Sequence, residues 1–297
     1  MSEYSIACIG ECMLELTPSD SETTLRKGFA GDTFNTAHYL KRILGQEAAV
    51  SYVSAVGDDP ISLELIARLQ LSGLDTQWIR RLSGKTIGLY LVDNDKDGER
   101  HFTYWRSDSA ARLMFQGPEG QGLLDQLNSC DVVYLSGISL AILTAQDSVR
   151  LIEALLSYDG LVVFDPNYRP SLWASAEEAS LVLRDLVKTR AIVMTTLEDE
   201  KALHNLTTAE EVASFWLEQG ARDVVVKMGS LGCYIASLKT IVPALPGIEP
   251  IDTTGAGDSF NGTYLAGIIL QLPPYDAARE AHMLAADVIR HRGAIIE

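Results

Sequence analysis

The chain has 297 residues, of which 47% are apolar and 22% are charged, a composition typical of a globular protein with a large core. A formal net charge of -16 without any basic cluster argues against binding to nucleic acid or to an anionic membrane. No segment has the length of a membrane span and the N-terminal residues lack a signal-peptide pattern, so we expect a cytoplasmic protein.

Short apolar runs alternate with amphipathic segments along most of the chain. The runs that predict buried strands are Ile6–Ile9, Ser51–Val56, Val132–Leu135, Leu161–Phe164, Ala191–Met194 and Val224–Val226. The segments whose apolar spacing predicts helices are Thr33–Leu44, Ser62–Leu71, Asp147–Leu156, Ala176–Val187 and Glu210–Glu218. This alternation predicts an α/β fold with a doubly wound, mostly parallel sheet covered by helices on both faces.

Two segments interrupt the alternation. Thr86–Val92 and Arg100–Arg106 have strand-like patterns on either side of the polar turn Asn94–Gly98, which predicts a β-hairpin. With the strand-like stretch Glu11–Phe29, the hairpin is expected to form a small antiparallel sheet that acts as a lid. Since no Pro-rich or Ser-rich linker divides the chain, we predict one domain over residues 1–297, with lid segments at about 11–30 and 84–112.

The four cysteines, at positions 8, 12, 130 and 233, lack the close pairs of a zinc site or of a disulfide framework. Cys8 and Cys130 lie in or beside apolar runs. We therefore expect buried thiols.

The stretch Asp252–Phe260, with the sequence DTTGAGDSF, leads directly into the apolar helical pattern Phe260–Leu270. The small residues Gly255–Gly257 at this helix entrance expose backbone N–H groups and the positive end of the helix dipole, which favours an anion site. Asp258 follows in the first turn, where its carboxylate suits a base that accepts a hydroxyl proton during attack on phosphorus. The alternative is that Asp258 only caps the helix.

This stretch resembles the second signature of the ribokinase (PfkB) family of carbohydrate kinases, although Thr263 stands where the family usually has Gly or Ala. The resemblance implies that the backbone of Gly255, Ala256 and Gly257 forms an anion hole for the transferred phosphate and that Asp258 is the catalytic base. It also implies a ribokinase-like three-layer αβα fold. The sequence contains no GxxxxGK[ST] element, which argues against a P-loop kinase.

Gly28–Asn35 resembles the first, substrate-side motif of the same family, with Ala30 in place of its first glycine of the common Gly-Gly pair. The Gly-Asp-Thr form that begins at Gly31 is similar to the ketodeoxygluconate kinase branch. The alternative for Asp32 and Thr33 is a simple helix cap.

Asp165–Arg169 follows a predicted strand at the edge of a parallel sheet where ligands bind. Asn167 would orient phosphate or metal-bound water there, and Arg169 would pair with an anionic group. The segment is similar to the family's Asp-Pro-Asn-x-Arg motif. A strand-end turn with proline would have the same sequence pattern without any ligand.

Two further segments resemble family motifs on the nucleotide side. Lys227–Cys233 is similar to the family's Lys-x-Gly-x-x-Gly segment beneath ATP, with a glycine-containing hairpin as the alternative. Leu197–Glu200 is similar to the Asn-x-x-Glu motif, with Leu197 replacing the Asn. That motif implies that Glu200 helps to place Mg²⁺ through water, whereas an acidic first turn of a helix is the alternative for Glu198 and Asp199.

Strand alternation places Tyr104 and Arg106 on one face of the predicted hairpin. Together with Gly31, Tyr90 and Arg169 they resemble the substrate pocket of ketodeoxygluconate kinases, as does the end segment 290–296. Packing is the alternative for the aromatic residues. Because a guanidinium forks onto a carboxylate, Arg106 would select a sugar acid over a neutral hexose.

The resemblance thus implies transfer of phosphate from ATP, with Mg²⁺, to the C6 hydroxyl of 2-keto-3-deoxygluconate by a homo-oligomeric enzyme. The implied substrate-binding residues are Gly31, Asp32, Asn35, Tyr90, Tyr104, Arg106, Arg169 and Asp258. The implied ATP-binding residues are Asn167, Lys227, Gly229, Gly232, Thr254, Gly255 and Gly257. The alternatives are a fructokinase-like enzyme of the same family and a non-catalytic sugar-acid or nucleotide sensor with the same fold.

Overall fold

A computed structural model describes residues 3–19, 23–94 and 100–296. The strands are β1 Tyr4–Ile9, β2 Met13–Pro18, β3 Leu25–Ala30, β4 Ala48–Val56, β5 Ile79–Arg81, β6 Leu89–Asn94, β7 Arg100–Trp105, β8 Val132–Ser136, β9 Leu161–Asp165, β10 Ile192–Thr196, β11 Asp223–Lys227, β12 Cys233–Ile235 and β13 Thr240–Val242. The α-helices are α1 Asp32–Leu44, α2 Pro60–Leu71, α3 Gly117–Gln126, α4 Gly137–Ile142, α5 Ala145–Leu156, α6 Ala176–Val187, α7 Leu197–His204, α8 Ala209–Glu218, α9 Ala256–Ile269 and α10 Pro274–Val288.

Within the described residues the main sheet has nine strands in the order β13-β12-β11-β10-β9-β8-β1-β4-β5. The neighbours from β11 to β5 pair in parallel, and β12 and β13 add an antiparallel end. The six predicted strands and six predicted helices all form, with ends that differ by a few residues. The doubly wound prediction is therefore confirmed.

Both faces of the main sheet carry an apolar core. In β1, Ala7 and Ile9 face a cluster completed by helices α3 to α6 and α8, while Ile6 and Cys8 face a cluster completed by α1, α2, α9 and α10. Buried strands of a parallel sheet need apolar residues on both sides, which explains the continuous apolar runs in the sequence.

The lid is a second sheet with the order β3-β2-β6-β7. Its two hairpins, β2–β3 and β6–β7, are antiparallel as predicted, and they join along a parallel pair between β2 and β6. Residues 95–98 of the predicted turn lie outside the described residues. Since β2 follows β1 after three residues, the lid starts at the carboxyl edge of the main sheet.

All four cysteines are free and buried, as the sequence analysis predicted for Cys8 and Cys130. Within the described part of the chain, no helix combines the length and the low polarity that crossing a bilayer requires.

Candidate active site

The carboxyl ends of β1, β9, β10 and β11 meet at one edge of the main sheet, beneath the lid, as parallel strands in one sheet must. Two adjoining cavities of about 880 and 700 Å³ open there. Both are lined by Thr196, Glu198, Lys227, Thr253 and Gly257. The residues predicted for catalysis, substrate and ATP all line one cavity or the other, whereas Glu200 lines neither.

The N-terminus of α9 lies where the two cavities adjoin, since Gly257 lines both of them. Gly255 precedes this helix with φ 77°, and a Cβ there would lie 2.7 Å from backbone atoms of Ala294. Both the left-handed backbone and the close approach require glycine. No side chain caps α9, so the helix-cap alternative for Asp258 is not observed. The N–H of Ala256 donates to the Thr253 carbonyl at 3.2 Å, whereas within the described residues no backbone carbonyl accepts from the N–H of Gly257, which is available to an anion.

Asp258 lies in that first turn and is partly exposed to the larger cavity. Nδ2 of Asn35 donates a hydrogen bond to its Oδ2 at 2.8 Å. Burial by surrounding protein atoms and, second, the negative charge of Asp32 raise the pKa of Asp258 from 3.8 to about 7, while the Asn35 hydrogen bond opposes the shift. A carboxylate with a pKa near neutrality is suited to general base catalysis.

Asp32 is held by the loop that follows β9. Nδ2 of Asn167 donates to Asp32 Oδ2 at 2.9 Å, and the backbone of Asn167 has φ 38°, which asparagine tolerates better than most residues. No side chain caps α1, so the cap alternative for Asp32 and Thr33 is not observed either. The structure thus connects the predicted substrate-side motif to the predicted Asp-Pro-Asn-x-Arg motif.

Lys227 is buried at the junction of the two cavities. Its Nζ donates to Asp165 Oδ2 at 2.8 Å and to Asn261 Oδ1 at 2.9 Å. The hairpin alternative for this segment also holds, since β11 and β12 are antiparallel and joined through Gly229–Leu231. The hairpin also forms part of the cavity wall, so the two alternatives for this segment hold together.

The lid contributes Tyr90, Tyr104 and Arg106 to the larger cavity. Tyr90 is buried and its hydroxyl donates a hydrogen bond to Glu15, whereas Tyr104 is half exposed. Arg106 forms an ion pair with Glu11, which the sequence analysis did not single out. The available signal was the position of Glu11 two residues after the predicted strand Ile6–Ile9, at the carboxyl end of the strand, where ligands bind.

Arg169 lines the same cavity from the loop after β9. Its Nη1 lies 3.2 Å from Asp199 Oδ1, and half of its side chain is exposed. Burial raises the pKa of Asp199, and the charge of Arg169 opposes that shift. The acidic first turn of α7 thus forms, with Glu198 and Asp199 facing the cavity.

Glu200, for which a water-mediated contact with Mg²⁺ was predicted, lines neither cavity. Its side chain is fully buried and accepts hydrogen bonds from Thr195 Oγ1 at 2.8 Å and from Trp216 Nε1 at 2.7 Å, with His204 Nδ1 at 2.7 Å. Protein groups already bind its carboxylate, and the water-mediated metal role stays a prediction. Glu200 ties α7 to β10 and α8.

The smaller cavity has an apolar wall that the sequence analysis did not identify. It is formed by Leu197, Met228, Leu231, Phe260 and Ala285. His282 adds a polar group to this wall. Its ring packs against Phe260, and its Nε2 is buried without a hydrogen-bond partner among the described residues. These residues come from four separate segments, so no local motif marks them.

Comparisons with known proteins identify the family of this chain. The sequence profile of the pfkB family carbohydrate kinase matches residues 4–297. The chain is 41% identical over its full length to a 2-dehydro-3-deoxygluconokinase of Dickeya dadantii (strain 3937), covering 98% of that protein. It is 39% identical to a 2-dehydro-3-deoxygluconokinase of Escherichia coli (strain K12), with 98% of this chain and 96% of that protein covered.

Among solved structures, a PfkB protein from Polaromonas sp. JS666 superimposes with a TM-score of 0.84 at 26% identity, covering 97% of this chain and 96% of that one. The family match spans nearly the whole chain, and both signature segments lie at the cavities described above. This chain belongs to the pfkB family of carbohydrate kinases.

Proposed function

We propose that this protein transfers the γ-phosphoryl group of ATP to the C6 hydroxyl of 2-keto-3-deoxygluconate, the same compound as 2-dehydro-3-deoxygluconate. The products are the 6-phosphate and ADP. The observation that carries the proposal is Asp258, which faces a cavity that also contains Arg106 and Arg169. Relatives about 40% identical over the full length carry the name of this activity.

Asp258 accepts the proton of the attacking C6 hydroxyl in this proposal, and Asn35 holds its carboxylate in place. Its pKa of about 7 lets it be ionised at neutral pH and still bind a proton readily. The backbone N–H groups of Gly255 and Gly257 stabilise negative charge on the transferred group at the helix N-terminus, while that of Ala256 donates to the Thr253 carbonyl before substrate binds. Closure of the lid excludes water, which limits hydrolysis of ATP.

The smaller cavity is suited to the nucleotide. Its apolar wall offers flat contacts for a purine base, and a buried imidazole nitrogen of His282 can pair with a base nitrogen or amino group. Lys227 and Gly257 then lie at the junction, where the phosphates must pass from one cavity into the other.

Magnesium fits this site through few protein ligands. Among the described residues, no group of three or more His, Cys, Asp or Glu side chains could hold a metal ion. Glu198 and Asp199 face the cavity, and Mg²⁺ commonly binds through one or two carboxylates, waters and phosphate oxygens. These two residues would hold the hydrated ion, which neutralises charge on the phosphates when bound.

We also propose that the chain acts as a single kinase domain in the cytoplasm and assembles into a homo-oligomer through its lid. The apolar side chains of Leu25, Phe102 and Trp105 are between 44 and 56% exposed on the lid. Exposed apolar groups on a small sheet favour burial against a second copy. Analytical ultracentrifugation of the wild type and of Trp105→Ser tests this, and a monomeric wild type contradicts it.

The activity is tested by coupled ADP release with Mg-ATP and 2-keto-3-deoxygluconate, fructose, ribose or buffer alone. A response to the sugar acid alone supports the proposal. A preference for fructose keeps the kinase and assigns it to the fructokinase-like alternative. No turnover with any acceptor, together with binding of the sugar acid or of ATP, supports the sensor.

A further inference from the structure

Glu11 has an unusual environment for a carboxylate in a cavity that is proposed to bind an acid. Its side chain is 1% exposed, and its ion pair with Arg106 is almost as buried, with 10% of the Arg106 side chain exposed. Both residues line the larger cavity. Each therefore sits in the wall of the proposed sugar-acid site.

The pair is close but incompletely satisfied. Both carboxylate oxygens of Glu11 and Nε of Arg106 are buried and lack a partner with hydrogen-bond geometry among the described residues. Buried polar groups of native proteins are almost always hydrogen-bonded, and an incompletely bonded buried ion pair is costly. A buried ion pair of this kind contributes little to stability, so its place in a cavity wall favours a role at the site.

Neighbouring residues fix the position of the pair. A Cβ at Gly88 would lie 2.8 Å from Glu11 Oε1 and 3.1 Å from Arg106 Cβ, so only glycine leaves room for both side chains. A Cβ at Gly31 would lie 2.2 Å from the backbone oxygen of Glu11. Glycines on two sides thus let the lid strands and the end of β1 approach closely enough for the pair to form.

The charges decide what the pair can distinguish. In the absence of substrate Glu11 compensates the charge of Arg106 and directs its guanidinium, and the exposed 10% of the Arg106 side chain faces the cavity. A neutral ketose accepts a hydrogen bond in which only the donor is charged, whereas a substrate carboxylate forms an ion pair with the guanidinium. Two other cations line this cavity: Lys227 is buried and paired with Asp165, and Arg169 is half exposed and paired with Asp199.

We propose that Glu11 is a positioning residue for substrate selection: it holds the Arg106 guanidinium so that the part exposed to the cavity binds the carboxylate of a sugar acid. This inference rests on the proposed function, since it concerns the same cavity. Glu11 contributes through Arg106 and takes no part in ATP binding or proton transfer.

The test compares Glu11→Gln, Arg106→Gln and the double variant with the wild type, using kcat and KM for 2-keto-3-deoxygluconate, fructose and ATP. Asp147→Asn is the matched control, because buried Asp147 forms an ion pair with the partly exposed Arg150, and neither residue lines either cavity. Thermal unfolding of every variant measures the structural cost separately. Stabilisation by the sugar acid without ATP measures binding without turnover.

For Glu11→Gln we expect kcat/KM for the acid to fall at least about tenfold through KM, with KM for ATP within about twofold of the wild type. Added to Arg106→Gln, the same change should cost little more, because Glu11 acts through Arg106. Asp147→Asn should lower the Tm alone.

Three outcomes overturn the inference. One is unchanged acid kinetics in Glu11→Gln with a loss of Tm like that of Asp147→Asn. The second is tighter binding of the acid by Glu11→Gln, which would mean that Glu11 only competes for Arg106. The third is additive losses in the double variant. A wild type that turns over fructose but not the acid instead refutes the proposed substrate, and that result appears before any variant is made.

Discussion

Asn35 and Asp258 are 223 residues apart in the chain, and the amide of one donates a 2.8 Å hydrogen bond to the carboxylate of the other. The bond joins the first turns of α1 and α9, two helices that pack against each other on the same face of the sheet. The predicted substrate motif and the predicted catalytic motif therefore meet at one oxygen atom.

Replacing Asp258 by Asn should remove the proposed base while keeping the shape of the site. Since general base catalysis contributes typically about 10²–10⁴-fold, we expect kcat to fall by about that factor. Affinity for ATP should remain, as measured by nucleotide-dependent thermal stabilisation. Near-normal turnover of Asp258→Asn in the coupled ADP-release assay would exclude Asp258 as the base.

The same variant should be more stable than the wild type at alkaline pH. The folded-state pKa of Asp258, about 7, exceeds its ordinary value of 3.8, so the folded protein binds this proton more tightly than the unfolded chain. The stability that this group contributes is present at low pH and is lost as the pH rises through about 7. The Tm gain of Asp258→Asn should therefore be larger at pH 8 than at pH 5. An equal gain at both values would argue against the raised pKa.

The acid limb of the pH–rate profile should move when Asp32 is neutralised. The charge of Asp32 raises the pKa of Asp258, so Asp32→Asn should lower that pKa and shift the fall in kcat/KM to lower pH. The amide oxygen of the new Asn can still accept the bond from Asn167. The profile of kcat/KM from pH 5 to 9 measures the shift, and a limb that moves to higher pH contradicts this arrangement.

Two glycines of the anion site should respond differently to substitution. Gly255→Ala places a Cβ on backbone atoms of Ala294 and forces a left-handed residue, so we expect a loss of about 1–3 kcal/mol in the free energy of unfolding. A Cβ at Gly257 would lie 3.6 Å from Lys227 Nζ, an ordinary contact. Gly257→Ala should thus keep its Tm and lose turnover, because the methyl group crowds the phosphate position. A folded, fully active Gly257→Ala would place the transferred phosphate elsewhere.

Glu200 should matter for stability and not for metal dependence. Trp216→Phe removes one buried donor to Glu200 and should cost about 1–3 kcal/mol, measured by denaturant unfolding. Glu200→Gln should leave the Mg²⁺ concentration for half-maximal rate within about twofold of the wild type, whereas Glu198→Gln should raise it. A large increase for Glu200→Gln alone would support the metal role that its sequence motif implies.

The strands, the helices and most of the site residues were predictable from the chain itself. Strands of a parallel sheet are buried on both faces, so runs such as Val224–Val226 are apolar throughout, while one-sided helices repeat their apolar residues every three or four positions. The segment from Gly255 to Asp258 was equally informative, because a helix entrance without bulky side chains is a local property.

Tertiary structure decided the features that depend on side chains from distant segments. Glu200 was predicted to face a metal because its motif is local, but its burial depends on Trp216, a residue of another helix. The partnership of Glu11 with Arg106 joins β1 to the lid across 95 positions of sequence, and the pKa of Asp258 depends on burial and on Asp32. Periodicity and motifs report which way a residue faces within its own element; which charges meet, and how far they are removed from water, is set only when the elements pack.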